Sequence, residues 1–387
     1  MPWKQESVVE QRLRFVLEVS KGERPFRRVC AEFGIGHSAG YKWWQRYRAH
    51  QTLTVLADQS RRPHHSPRET AEEVVAAVEG LRGRYHWGAR KLQWLLKQEE
   101  VIVSESTINR ILKRRGLVAP RDVEGQARTR FQRDHPNELW QMDFKGFFVV
   151  REGRCHPLSV LDDCSRYLLG LWPLPDQQGR GVQQALEGLF REVGVPQELL
   201  LDRGAPWWST SNAHGLTWLS VWLMDQDIAL SYGRPCHPQT RGKAERWHGT
   251  LQSYVRAHGR PPDLASWVPY ALQCRQEYNT VRPHEALGMR PPAQVWSPVQ
   301  LRPYQEHPVP FDYATAHVRT LNSWGALSWR GQRYFVSEAL RKRRVGIECL
   351  DELLVVWYRH TPIREIDLSQ RVSRALRTSL PRVSAMS

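Results

Sequence analysis

Cysteine is scarce and scattered. Six occur in 387 residues, at positions 30, 155, 164, 236, 274 and 349, and none forms a CxxC pair. That spacing excludes a disulfide framework and a four-ligand zinc module, and it fits a reducing compartment. Cys155-His156 and Cys236-His237 each lack the second half of a four-ligand pattern and read as structural. Long apolar runs are also missing. No stretch of 18 apolar residues occurs, so no membrane span and no membrane partner is expected. The start, Met1-Pro2-Trp3-Lys4-Gln5-Glu6, has no apolar leader segment, and a cytoplasmic protein is expected. Acidic residues are in short supply, 40 against 56 Lys and Arg, for a formal net charge of +16.

The basic excess speaks about partners and not about fold. It favours a polyanion, nucleic acid first. It is uneven: the first 130 residues hold 25 Lys and Arg against 15 Asp and Glu. With 41% hydrophobic residues there is ample material for cores, and the length suggests about two to four domains.

The first third reads as helical. Arg27 to Phe33 carries apolar Val29, Ala31 and Phe33. Gly34-Ile35-Gly36 breaks the pattern, and His37 to Arg48 resumes it with Tyr41, Trp44 and Tyr47 at helical spacing. Lys42, Arg46 and Arg48 lie beside them. Helix, short glycine turn and basic helix is the helix-turn-helix pattern, so a first DNA-binding domain is expected over 1–58. Gln59 to Pro67 reads as a linker interrupted by Pro63 and Pro67. A second helix-turn-helix is expected over 68–118. Its last helix follows Ser104 as N-cap, buries Ile108, Ile111 and Leu112, and leaves Arg110, Lys113 and Arg114 for solvent or phosphate. A polar linker follows over 117–136.

From 138 the period changes. Leu139 to Val150, Pro157 to Leu161 and Tyr167 to Leu174 read as strands. Then come a helix (181–193), a buried strand (198–202), a helix (216–224), a short strand (228–231) and helices over 242–255 and 266–278. This order predicts a mixed five-stranded sheet flanked by helices over 136–300. Beyond 315, six short strands with a tight turn at Arg330-Gly331 predict a small β-barrel over 315–368. The basic tail, 369–387, shows no periodicity and is expected to be disordered. The class is therefore multidomain α+β.

Three carboxylates stand where such a fold can gather them. Asp143 is in the middle of the first core strand, Asp202 closes a buried apolar strand, and Glu245 opens a helix. A charge ending an apolar run is costly without a partner, and a divalent cation is a natural one. Phosphodiester cleavage needs an activated water, a stabilised leaving oxygen and neutralised phosphate charge, which two Mg²⁺ ions can supply together. Mg²⁺ prefers carboxylate oxygens. Asp143, Asp202 and Glu245 are expected to hold both ions, with Asp143 as the bridge and Mn²⁺ as a substitute metal. Asp162 and Asp163 read as turn residues before Ser165-Arg166. Lys243 and Arg246 flank Glu245 and read as phosphate contacts, Arg282 and His284 as loop-ordering or DNA-touching residues, and Arg341 to Arg344 as a basic run able to track a DNA backbone.

The flanks carry a resemblance. Trp140-Gln141-Met142-Asp143-Phe144, Leu161-Asp162-Asp163-Cys164-Ser165-Arg166-Tyr167, His237-Pro238-Gln239-Thr240-Arg241-Gly242-Lys243-Ala244-Glu245-Arg246-Trp247-His248, and Tyr278-Asn279-Thr280-Val281-Arg282-Pro283-His284-Glu285-Ala286-Leu287-Gly288 resemble DDE-type insertion-sequence transposases with a retroviral-integrase-like core. The resemblance spans nearly the whole chain. It implies a ribonuclease H-like core, a catalytic and metal-binding triad of Asp143, Asp202 and Glu245, and recognition of terminal inverted repeats. It also implies a homodimer or higher oligomer on double-stranded DNA, near the bacterial nucleoid. Two departures stand out: Arg203 replaces the usual Asn before Gly204, and the interval from Asp202 to Glu245 is longer than in many relatives. The alternatives are a catalytically silent DNA-binding protein and a metal-dependent ribonuclease H-like nuclease.

Overall fold

The computed structural model describes residues 7–58, 70–118, 132–209, 215–233, 242–299, 301–314 and 317–376. The expected linker at 59–67, residues 119–131 of the linker expected over 117–136, and the His237 to Arg241 part of the motif lie outside them. Two compact units are present, Met1–Ala71 and Glu72–Ser387.

In the first unit, helices α1 (Val8–Lys21), α2 (Phe26–Glu32) and α3 (His37–His50) pack around Phe15, Val16, Val29, Cys30 and Leu56. Ser7 caps α1 in a reciprocal box with Glu10. Gly34 takes a left-handed φ of 65° in the turn. Gly40 lets α3 lie close to its neighbours, since a Cβ there would stand 2.6 Å from Cys30 Sγ and 2.9 Å from Phe15 Cζ.

The second unit begins with α4 (Glu72–Tyr85), α5 (Ala89–Gln98) and α6 (Glu105–Arg114), whose core is Val78, Leu92, Leu96, Ile108 and Leu112. Ser104 caps α6 by accepting from Thr107 N at 3.2 Å. The mixed sheet follows: β1 (Leu139–Phe144), β2 (Phe148–Val150), β3 (Gly153–Asp162), β4 (Leu168–Leu174), β5 (Glu198–Leu201) and β6 (Ala229–Tyr232). The order is β2-β3-β1-β5-β6, with β4 on the other edge of β3. The run Leu139 to Val150 is thus two strands along one edge of β3, parted at Lys145-Gly146-Phe147, where Gly146 has a φ of 97°. Six strands fill five positions.

Alternation along the strands sorts the two faces. Trp140, Met142, Leu158, Val160, Leu199 and Leu201 meet α7 (Gly179–Val193) and α8 (Trp218–Asp225) on one side. Cys155, Leu161, Leu168 and Leu171 meet α9 (Gly242–His258) and α10 (Leu264–Thr280) on the other.

The C-terminal part has β7 (His317–Thr320), β8 (Ala326–Trp329), β9 (Gln332–Phe335), β10 (Arg344–Leu350), β11 (Leu353–Tyr358), β12 (Thr361–Asp367) and β13 (Val372–Ala375). It forms a five-stranded antiparallel sheet, β13-β12-β11-β10-β7, and a β8-β9 hairpin around one core. That core also takes in Leu216, Val221 and Met224 at α8. Tyr358 Oη donates to Asp225 Oδ1 at 2.5 Å, and Arg343 pairs with Asp225 Oδ2 at 3.0 Å. Arg343 is therefore part of this junction and not of a free basic run. The expected disordered tail is corrected at its start: Val372–Ala375 pairs with β12, Ile366 opposite Ser373, and Arg364 Nε donates to Ser373 Oγ. Alternation over four residues was too short to announce a strand. No helix among the described residues is long and apolar enough to cross a membrane.

Candidate active site

β1 runs parallel to β5 with Leu139 opposite Glu198, Trp140 opposite Leu199 and Gln141 opposite Leu200. Asp143 lies two residues beyond the last of these pairs on β1, and Asp202 directly follows β5, so the register leads the two aspartates toward the same end of the strands. Asp143 faces the side of the sheet that α9 covers, because it lies opposite Ser159 on β3, two residues from Leu161 in the α9 core. Both aspartates are half-buried.

Local contacts hold the Asp143 backbone and the Asp202 carboxylate. The Asp143 carbonyl accepts from Ser159 Oγ at 3.1 Å, and that hydroxyl lies 3.5 Å from His248 Nε2 on α9. Asp202 Oδ1 accepts from Gly204 N at 3.1 Å and from the Trp207 indole at 2.5 Å. Gly204 has a steric reason to be glycine: a Cβ would sit 2.9 Å from Asp202 Oδ2. Arg203 turns away and places its guanidinium 5.4 Å from the Trp208 ring centroid.

Glu245 is exposed in the first turn of α9. Ala244, Trp247, Leu251 and Val255 bury the helix against the sheet. At 100° per residue Glu245 falls on the flank next to His248, the side of Ser159 and Asp143. Among the described residues no three His, Cys, Asp or Glu side chains stand close enough to hold a metal ion together. The strand register leads Asp143 and Asp202 toward the same strand end, and no three-ligand group joins Glu245 to them among the described residues. The aspartate pair is a hard, oxygen-only donor set, which suits Mg²⁺.

Lys243 corrects the reading of a phosphate contact. It is 12% exposed, and its Nζ meets Asp163 Oδ1 at 2.5 Å and the Asp163 carbonyl at 3.0 Å. Burial pulls its ammonium down to about 8, partly offset by Asp163. Asp162 and Asp163 are more than turn residues. Both are fully buried. Asp162 accepts from Asn137 N (2.7 Å), Ser165 N (2.7 Å) and Ser165 Oγ (2.6 Å), while burial raises its carboxyl above the usual range. Asp163 accepts from Arg133 N at 2.8 Å and Gln141 Nε2 at 2.7 Å. The one sequence signal for this cluster was the adjacent acid pair ending an apolar strand.

The other singled-out cations divide. Arg46 and Lys42 on α3 gather with Arg12 around the Trp43 ring, at 4.9, 5.3 and 3.7 Å, and Arg48 is exposed. On α6, Arg110, Lys113 and Arg114 are all exposed, as is Arg246 on α9. Arg282 lies 5.4 Å from the Trp87 ring centroid and donates to Thr250 Oγ1 at 3.4 Å, which ties α9 and the α4–α6 region to the segment after α10. His284 packs edge-on to Tyr278, and burial holds its imidazole down to about 3.

An integrase core domain matches residues 133–238, and a second integrase core model matches 226–292. A helix-turn-helix domain matches 11–64 and a homeodomain-like domain 39–112. The C-terminal domain of IS481 family transposases matches 316–374. The insertion element IS407 uncharacterized 31.7 kDa protein of Burkholderia multivorans is 26% identical over 238 residues, covering 57% of this chain and 80% of that one. The insertion element IS476 uncharacterized 39.2 kDa protein of Xanthomonas euvesicatoria is 26% identical over 239 residues, covering 59% and 67%. A chain in the simian T-cell lymphotropic virus intasome structure is 14% identical, with 78% and 97% covered at a TM-score of 0.37, too low a likeness to carry an argument. With helix-turn-helix regions, an integrase core and an IS481-type C-terminal domain in one chain, this protein resembles the DDE-type insertion-sequence transposases.

Proposed function

We propose that this chain is a transposase that binds the terminal inverted repeats of a mobile element, hydrolyses phosphodiesters at the element ends and joins the 3′-OH ends to target DNA. The observation that supports it best is the parallel pairing of β1 with β5, whose register leads Asp143 and Asp202 toward the same strand end, with Asp143 on the face that α9, bearing Glu245, packs against. Asp143, Asp202 and Glu245 would hold Mg²⁺, two ions in all, or Mn²⁺ in its place. Divalent cations held there would neutralise phosphate charge and would stabilise attacking and leaving oxygens alike. Trp207 and Gly204 orient the Asp202 carboxylate, and Ser159 and His248 line the approach to Asp143. The exposed cations Lys42, Arg48, Arg110, Lys113, Arg114 and Arg246, with Arg46 at the Trp43 cluster, would supply affinity through phosphates, while bases read by the helix-turn-helix regions supply end specificity. The working division is 1–58 and 68–118 for DNA recognition, 136–300 for chemistry and 315–375 for the C-terminal domain. Pairing of two element ends calls for a homodimer or larger assembly on DNA, in the bacterial cytoplasm.

A strand-transfer assay tests this reading. Full-length protein, a labelled element-end duplex, a target plasmid and Mg²⁺ should give joined product, and Glu245→Gln should abolish it. A second reading, a silent DNA-binding protein, draws on Glu245 standing outside a three-ligand group. Specific end binding with neither nicking nor joining in Mg²⁺ or Mn²⁺ would select it. Nicking without joining would point to a nuclease instead.

A further inference from the structure

We infer that Asp163 and Lys243 are positioning residues that clamp the start of α9 to β1, so that Glu245 is presented toward Asp143 and Asp202. This rests on the transposase reading and goes beyond it, because neither residue belongs to the proposed triad.

Asp163 is the common point of three segments. Gln141 Nε2 reaches it from β1, two residues before Asp143 on the same face of the strand. Arg133 N reaches it from the segment that leads into the sheet. Lys243 reaches it from α9, two residues before Glu245, and grips both the carboxylate and the backbone carbonyl. The aspartate is fully buried and the lysine nearly so, where a charge–charge hydrogen bond is strong and directional.

Helix geometry gives the clamp its consequence. Taking Lys243 as 0°, the buried residues Trp247, Leu251 and Val255 fall at about 40°, 80° and 120°, while His248 and Glu245 fall at about 140° and 200°. Lys243 and Glu245 therefore occupy opposite flanks of one apolar face. The apolar contacts of Trp247 and Leu251 set the depth of the helix but resist rotation weakly, since they are non-directional. The Lys243–Asp163 tie fixes the rotation on one flank, and that same rotation sets where Glu245 stands on the other. A shift of about 1 Å at a reacting group can lower turnover about 10²-fold.

The test uses full-length protein and the double variant Asp163→Asn/Lys243→Met, which removes both charges of the tie and leaves Asp162 as the nearby carboxylate for the buried Arg166 guanidinium. The second variant, Lys243→Arg, keeps a cation for Asp163. Three quantities are read: amide hydrogen exchange over 244–250, the dissociation constant for an element-end duplex, and the single-turnover nicking rate. The expected result for the double variant is faster exchange over 244–250 with β1 and β5 unchanged, nicking slowed about 10²-fold, and DNA affinity within about twofold of the parent. Lys243→Arg should regain most of the nicking rate and protection. Unchanged exchange, together with weaker DNA binding and a shallower salt dependence, would overturn the clamp and return Lys243 to the phosphates. Should the parent protein neither nick nor join, the transposase reading fails, while the exchange comparison still decides whether the pair fixes α9.

Discussion

Two pairs of aspartates sit in the core. Asp162 and Asp163 are neighbours in the chain, wholly buried, and surrounded by donors from Asn137, Ser165, Arg133, Gln141 and Lys243. Asp143 and Asp202 are distant in the chain, half-buried, and led toward the same strand end by the register of β1 on β5. The first pair satisfies buried charge with protein donors, which makes it a device for holding segments together. The second leads two carboxylates toward one strand end, which makes it a place to receive positive charge. Adjacency in sequence does not tell the two pairs apart; the supply of donors does.

The largest expected effect breaks the comparison at the half-buried pair. Asp143→Asn or Asp202→Asn should lower nicking and joining by at least about 10²–10³-fold, the scale of losing a group that stabilises developing charge. Their melting temperatures should stay near the parent's, because less like-charge repulsion remains. A large fall in melting temperature with activity retained would place them with the structural pair. The buried pair should behave in the reverse sense. Asp163→Ala strands the Lys243 ammonium and should reduce unfolding free energy by about 3–5 kcal/mol, read by urea denaturation.

Titration offers a middle-sized effect away from both pairs. His284 is held neutral by burial, with its imidazole down to about 3 in the fold against 6.5 unperturbed. Its folded value is depressed, so the unfolded chain binds the proton first. Stability from this group is fully present above pH 6.5 and is lost as pH falls from 6.5 toward 3, by roughly 1.4 kcal/mol per pH unit. His284→Phe should flatten the acid limb of a melting-temperature profile. An identical limb in parent and variant would remove His284 as the cause.

Smaller effects sharpen the site itself. Gly204→Ala should push the Asp202 carboxylate from its place and slow nicking about tenfold, with little change in melting temperature. The smallest effect is expected on α6: Arg114→Ala should weaken element-end binding and random-duplex binding alike, and lower the salt slope by about one phosphate contact. A loss confined to the element end would assign Arg114 to base reading.

Local pattern made much of this protein legible. Glycine and cap signals marked the helix-turn-helix regions, and Ser104 did cap α6. Periods of two and 3.6 gave the order of the core elements, since burial of one face imposes those periods wherever a strand or helix packs on one side. The split of β1 from β2 and the strand β13 escaped because a single left-handed glycine and a four-residue ladder leave little trace in hydrophobic pattern. Lys243 escaped for a different reason: its partner lies 80 positions away.

The sequence by itself determined the residue types: three carboxylates at a strand, a strand end and a helix start, cations on the helices before them, and a strand-rich C-terminal part. Only the tertiary structure decided which acids are buried among protein donors and which are not. Strand register leads Asp143 and Asp202 toward one strand end, and helix rotation sends Lys243 to one flank of α9 and Glu245 to the other. Such pairings depend on how distant segments meet when apolar faces close, and the cost of burying an unpaired charge then selects which donors must be there to meet it.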